Sequence, residues 1–245
     1  MSKKYKGKTC VYCAQSLSTA PDHVFAREFF LSSDRGNLPQ VPACDACNRT
    51  KARLEHHMTA VLPFGGRHPA AKTNLETLVP GRLAKNQKLH RALASGAKKA
   101  WIKEDALYQP TMSLPIEGSS FLDLFSLVVR GLVWFHWKAL LTPKHLVNVL
   151  VLTDAGERYF DGIMNLEVAD RVTVDLGSST VQYEGVQGFD NPSITAWRIS
   201  MYGGITFGDS GSPGLVGRRI GAITGPEDAD LSSDPSRPLG VRLGA

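Results

Sequence analysis

The amino-acid sequence predicts an α+β fold: a zinc-bound N-terminal unit, then helices, then a C-terminal domain built from one helix and an antiparallel sheet. The four cysteines of the 245-residue chain form two C-x-x-C pairs near the N-terminus. The middle of the chain is rich in Ala, Leu and Lys, and short apolar runs separated by turn residues recur in the second half. The chain is 42% hydrophobic, which is enough to bury a core and excludes a disordered tail.

The two cysteine pairs predict a structural zinc site. The pairs are separated by 30 residues, and the second completes a possible tetrahedral S4 site; the ligands would be Cys10, Cys13, Cys44 and Cys47. Disulfides are the alternative, and they are disfavoured in a chain without a signal peptide. Four thiolates fill the coordination sphere of zinc, so we expect this metal to stabilise the fold and take no part in catalysis.

Polar residues of another kind lie between and just after the cysteine pairs. Asp22 and His23 are adjacent, on what we expect to be the end of a strand, and Asn37 lies in a loop-like stretch at residues 32–39. From residue 45 to about residue 60 there is neither Gly nor Pro, which predicts a helix with Asn48 in its first turn.

The order C-x-x-C, Asp-His, C-x-x-C-Asn-x-x-Lys resembles the zinc-bound form of the HNH endonucleases, the ββα-metal or His-Me finger nucleases, over residues 8–62. The resemblance implies that Asp22 is a ligand of a catalytic cation, Mg²⁺ or Mn²⁺, and that His23 is the general base. It further implies that Asn48 is the second cation ligand and that Asn37 orients the base. The family name implies a His where this chain has Asn48, and Asn is a recognised variant there.

The residue types themselves fit phosphodiester hydrolysis. A His with a near-neutral pKa can take a proton from water, and carboxylate and amide oxygens are hard ligands suited to Mg²⁺ or Mn²⁺. Adjacent residues on a strand point to opposite faces. Asp22 and His23 therefore serve one site only if the backbone turns there, or if cation and water lie on different sides.

The charge distribution predicts a nucleic-acid partner, DNA. Residues 1–110 hold 18 Lys or Arg and 8 Asp or Glu, whereas residues 111–245 hold 10 and 15. On the predicted helix, Arg49, Lys51 and Arg53 are candidates for phosphate contacts, although a solvated helix face would have the same composition. The acidic second half is a candidate surface for a protein partner.

Breaker residues and periodicity divide the chain into residues 1–65, a basic helical connector at 66–114, and a C-terminal α+β domain at 115–245. We expect one or two amphipathic helices at 70–106 and one helix at 121–141, in which His136 is a partly buried, hydrogen-bonded residue. Four or five strands should follow, at residues 146–152, 171–176, 180–186, 194–201 and 219–224, with a hairpin turn at 177–179.

Two features bear on localisation. The apolar stretch at 121–141 is interrupted by charged residues, and no apolar signal region follows the basic N-terminus. The sequence therefore predicts a cytoplasmic protein with no membrane partner.

Three functions remain open from the sequence. The first is an HNH endonuclease that hydrolyses phosphodiester bonds in DNA, and the second is a non-catalytic, zinc-stabilised nucleic-acid-binding module. A remote third is a serine protease, because residues 208–213, GDSGSP, resemble the nucleophile motif around Ser210. The two histidines between residue 110 and Ser210, His136 and His145, lack a suitable context, so a Gly/Ser turn between two strands is the preferred interpretation.

Overall fold

A computed structural model describes residues 4–104, 107–209 and 212–227 and has an α+β fold. Its N-terminal unit contains an antiparallel pair of strands, β1 (Ala20–His23) and β2 (Gln40–Ala43), followed by helix α1 (Asp45–Val61). Two short 3₁₀ turns lie in the connection between the strands. The helix predicted at residues 45–60 is confirmed.

The middle of the chain contains three short helices and a hairpin. The helices are α2 (Pro69–Thr77), α3 (Val79–Lys85) and α4 (Gln87–Gly96). Strands β3 (Lys98–Glu104) and β4 (Leu107–Ser113) follow and pair only with each other in the described structure. The prediction of one or two helices to residue 106 was therefore wrong in extent. Caps explain the division of the helices: the side chain of Asn86 accepts the N–H of Leu89 and starts a new helix.

The C-terminal part contains the predicted helix and sheet. Helix α5 (Gly118–Trp137) precedes β5 (His145–Thr153), helix α6 (Asp154–Met164), β6 (Asp170–Leu176), β7 (Val181–Gln187), β8 (Thr195–Met201), β9 (Phe207–Asp209) and β10 (Ser212–Pro226). The sheet is antiparallel with the order β5-β10-β8-β7-β6, and β9 pairs with β10. The β6–β7 hairpin is confirmed, whereas α6 and β9 were not predicted.

Helix α5 joins the N-terminal unit to the sheet. It is long and apolar enough to span a membrane by length and composition, yet eight of its residues are buried within the protein. At Gly131 the helix comes so close to the N-terminal unit that an added Cβ would lie 3.0 Å from Val24. The chain segment just after β1 therefore rests directly on α5.

One large hydrophobic core runs through the first and third predicted segments, and a second, smaller cluster packs α6 against the sheet. The large core contains Val24 and Phe25 of the N-terminal unit, Phe125 of α5, and Trp197 and Tyr202 of the C-terminal part. The boundaries at residues 65 and 114 stay predictions, but the segments that they separate share this core.

Candidate functional site

The four cysteines lie together. The sulfur atoms of four cysteines all lie within 4.8 Å of one another: those of Cys10, Cys13, Cys44 and Cys47. All four cysteines are free thiols. Sulfurs around a tetrahedral zinc, at about 2.3 Å from the metal, stand about 4 Å apart. The donor set and its spacing therefore fit a structural zinc ion. It is the only group of three or more His, Cys, Asp or Glu side chains in the described part of the chain that is placed to hold a metal.

The turn formed by the first C-x-x-C pair, Cys10 and Cys13, favours the thiolate form of Cys13. Burial acts to raise the pKa of this thiol, but hydrogen bonds from the backbone N–H groups of Ser16 and Gln15 and from the side chains of Cys10 and Cys47 together lower the pKa to about 6. The Ser16 nitrogen lies 3.5 Å from the sulfur. Because metals bind the thiolate form, this turn is prepared for a cation.

Asp22 is held by two donors on one oxygen. The hydroxyl of Tyr12 donates to Oδ2 at 2.6 Å, and the Lys51 ammonium lies 3.1 Å from the same atom. Burial, and after it the Asp22 charge, raises the pKa of Tyr12, so this hydroxyl stays protonated and donates. Tyr12 lies between Cys10 and Cys13, and it therefore connects the cysteine cluster to the Asp22 carboxylate.

Lys51 is the clearest correction to the sequence analysis. It was expected on the surface as a phosphate contact, but its side chain is 0% exposed. Its ammonium donates to the backbone oxygen of His23 at 2.6 Å and to the Glu55 carboxylate. A buried charge requires such partners, so Lys51 is committed to the interior and does not face a ligand.

Glu55 completes this buried group. Burial raises the pKa of Glu55 to about 7, although the Lys51 ammonium acts to lower it. The lysine therefore lies between two carboxylates, those of Asp22 and Glu55, and fixes the end of β1 against α1.

His23 is held in its neutral form. Burial lowers the pKa of its imidazole; the Asp22 charge opposes this shift, and the positive charges of Arg27 and Lys51 add to it. The Nε2 atom lies 2.9 Å from the side-chain amide of Gln40. A neutral imidazole at physiological pH has a lone pair that can accept a proton.

Gln40, and not Asn37, contacts the ring of His23. Asn37 is exposed, has a φ of +57° and makes no hydrogen bond with the described residues, so its local role is to form the left-handed turn. The prediction that Asn37 orients the base is therefore wrong for this structure. Gln40 was missed, although the register of a β1–β2 hairpin places it directly opposite His23.

Two side-chain contacts link the β1 segment to the part of α1 that contains Asn48. Thr19, just before β1, donates to the Asp45 carboxylate, and Asp22 contacts Lys51. These two contacts tie Thr19 and Asp22 to the first two turns of α1. Asn48 lies three residues from each of Asp45 and Lys51 and midway between them around the helix. It is half-buried in the first turn of α1, and its side chain makes no hydrogen bond to Asp22 or His23 among the described residues.

The remaining predicted residues fall in three places. Arg49 and Arg53 are exposed on α1, as phosphate contacts require. His136 is hydrogen-bonded at 3.0 Å to the hydroxyl of Tyr183, as predicted. Ser210 lies outside the described residues; β9 ends at Asp209 before it and β10 begins at Ser212 after it, and the two strands pair in antiparallel fashion.

Comparisons with known proteins assign no relationship: no protein-family model, no curated protein and no solved structure matches this chain.

Proposed function

We propose that the chain is a metal-dependent endonuclease of the HNH type that hydrolyses phosphodiester bonds in DNA. The observation that carries the proposal is the fixation of the end of β1 on α1 by Lys51, which bonds both Asp22 and the backbone of His23. This contact holds Asp22 and the backbone of His23 against α1, the helix that carries Asn48 in its first turn, next to a cysteine cluster that fits zinc.

In this proposal His23 is the general base. The side-chain amide of Gln40 faces Nε2, and amide ends are interchangeable in assignment, so Gln40 can present its oxygen to an Nε2–H. The lone pair of Nδ1 then remains to take the proton of the attacking water. Burial keeps the ring neutral, which is the form that a base requires.

Asp22 and Asn48 would hold the catalytic cation, Mg²⁺ or Mn²⁺. Both contacts to Asp22 fall on Oδ2, which leaves Oδ1 for a cation, and the Asn48 amide supplies a second hard oxygen ligand. A bound cation would offset negative charge on the phosphate and on the departing oxygen. The zinc, in contrast, would act only by fixing Tyr12 and through it Asp22.

A second candidate is the non-catalytic nucleic-acid-binding module. The 3.1 Å contact from Lys51 favours it, because the ammonium already neutralises the one carboxylate assigned to the cation. Both candidates predict DNA binding, so binding alone does not separate them.

Plasmid cleavage separates the two candidates. Supercoiled plasmid is incubated with the zinc-loaded full chain and Mg²⁺ or Mn²⁺, and nicked and linear forms are quantified. We expect cleavage by the native chain, a loss of at least a hundredfold for His23→Ala, and native activity for His56→Ala, an exposed histidine on α1. Equal cleavage by the His23→Ala chain, or none by the native chain, would contradict the nuclease.

A further inference from the structure

The β3–β4 hairpin presents an apolar surface that no other described part of the chain covers. Trp101 is 68% exposed and Met112 is 62% exposed. These two residues line a shallow groove together with Lys99, Ala100 and Pro110. In the register of the hairpin Trp101 is opposite Pro110 and Lys99 is opposite Met112, so the groove occupies one face of the ribbon.

The charge around this groove identifies the chemistry of its partner. Residues 77–105 hold seven Lys or Arg and two acidic residues, Glu104 and Asp105. Five of these cations are exposed and have no ion pair within the described residues: Lys85, Lys88, Arg91, Lys98 and Lys99. An aromatic ring in a strongly cationic surface is suited to a polyanion with accessible ring faces.

The groove also lies on a segment that is anchored beside the candidate site. Arg82 of α3 donates to the backbone oxygen of Thr59 in α1 at 2.7 Å and to that of Glu28, which follows β1, at 2.9 Å. Helix α4 and the hairpin continue directly from this anchor. The segment that carries the groove therefore begins beside the β1–α1 unit.

We propose that the β3–β4 hairpin binds a nucleic-acid strand with unpaired bases, with a base stacked on Trp101 and with phosphates near Lys98 and Lys99. A duplex backbone would need only the cations and would leave the exposed indole without a role. This inference rests on the proposed function for its choice of nucleic acid and adds a substrate class: single-stranded, flapped or frayed strands. DNA and RNA share the required chemistry, so the test contains both.

Binding is measured by fluorescence anisotropy with labelled dT15, labelled rU15 and a blunt 20-bp DNA duplex, without added divalent cation. The full chain carries His23→Ala throughout, so that cleavage does not enter the readout. We expect Trp101→Ala to weaken binding of at least one single strand by about fivefold to a hundredfold, the range for loss of one stacked base. Duplex affinity should change less than twofold. The strand that responds identifies DNA or RNA.

Two controls separate stacking from charge and from misfolding. Phe189→Ala removes a ring that is 53% exposed elsewhere and should leave all affinities unchanged. The double variant Lys98→Ala with Lys99→Ala should reduce the slope of log affinity against log salt by about 1.4 for single strands. Each variant is checked for native zinc content and circular dichroism.

Native single-strand affinity in a folded Trp101→Ala chain overturns the inference and assigns the groove to another class of partner, such as a protein. An equal loss for duplex and single strands also overturns it. Neither result depends on cleavage. A chain that binds dT15 through Trp101 but never nicks plasmid would refute the nuclease and keep this site.

Discussion

At the scale of single residues, the assembly depends on a lysine that does not meet solvent. Lys51 bonds the carboxylates of Asp22 and Glu55 and the backbone of His23 from inside the protein. Removing one member of such a group leaves the others buried without compensation, which costs more than the intact group contributes. Its neighbours Arg49 and Arg53 lie on the exposed side of the same helix.

This difference in burial predicts that a substitution of Lys51 lowers stability, whereas a substitution of Arg53 weakens DNA binding. Lys51→Met should lower the free energy of unfolding by about 3 kcal/mol, because Asp22 and Glu55 lose their buried counter-charge. Arg53→Ala should leave stability nearly unchanged and weaken duplex DNA binding severalfold. Urea unfolding and anisotropy titrations measure both quantities. A Lys51→Met chain with native stability and reduced DNA binding would contradict this account and indicate that Lys51 contacts DNA from the surface.

The neutral state of His23 predicts a pH dependence. Since burial lowers the pKa of the imidazole below its ordinary value of 6.5, the base stays neutral until the pH falls below that value. Single-turnover cleavage should therefore decline on the acid side only below pH 6.5. Gln40→Glu places a carboxylate on Nε2, stabilises the imidazolium and should move this decline to higher pH, whereas Gln40→Leu should not. If cleavage by the Gln40→Glu chain declines at the same acidic pH as cleavage by the native chain, this result would argue against His23 as the base.

Residue types in the sequence predicted the site only in part. The C-x-x-C pairs were identified from their spacing, and Asp22 and His23 were assigned as candidates by the resemblance. The burial of Lys51 and the contact between Gln40 and His23 were not predicted. A lysine in a basic helix gives no sign of burial, and a glutamine becomes significant only once the strand register is known. Asn37 was assigned to the base by resemblance, and its left-handed turn conformation takes it elsewhere.

At the scale of elements, the packing of α5 decides how β1 is supported. Gly131 lets α5 lie against Val24, one residue after His23, and an added Cβ would meet two methyl carbons of Val24 at 3.0 and 3.2 Å. Val24 is fully buried, so it has little room to move away. A larger side chain at position 131 must separate the helix from the β1 segment.

Gly131→Leu should therefore destabilise the protein by about 1–3 kcal/mol through overpacking. The matched control is Gly81→Leu in α3, where a Cβ meets no atom within 4 Å; better helix propensity there should keep or raise stability. Thermal unfolding of both variants gives the comparison. Equal stability of the two would show that α5 does not press on the β1 segment.

Periodicity predicted most of the elements. Helix α5 and the five long strands of the C-terminal sheet were expected, because their apolar patterns are long and regular. Strand β3 was taken for helix because its Ala- and Lys-rich start continues the composition of α4. Helix α6, eleven residues between β5 and β6, was not predicted.

At the scale of the whole molecule, the N-terminal unit and the C-terminal sheet share one hydrophobic core, with α5 between them. The cysteine cluster belongs to that core through Cys10 and Cys44, so the candidate zinc site and the sheet are parts of one packed body. The acidic half of the chain, residues 111–245, remains a predicted surface for a protein partner.

The most direct test of the account is the stoichiometry of two different metals on one chain. The account predicts one tightly bound zinc per chain by elemental analysis, and one weaker Mn²⁺ site by electron paramagnetic resonance titration. Asp22→Asn should abolish or strongly weaken the Mn²⁺ site and leave the zinc in place. A zinc-loaded native chain that takes up no Mn²⁺, or an Asp22→Asn chain that binds Mn²⁺ as tightly as the native chain, would contradict it.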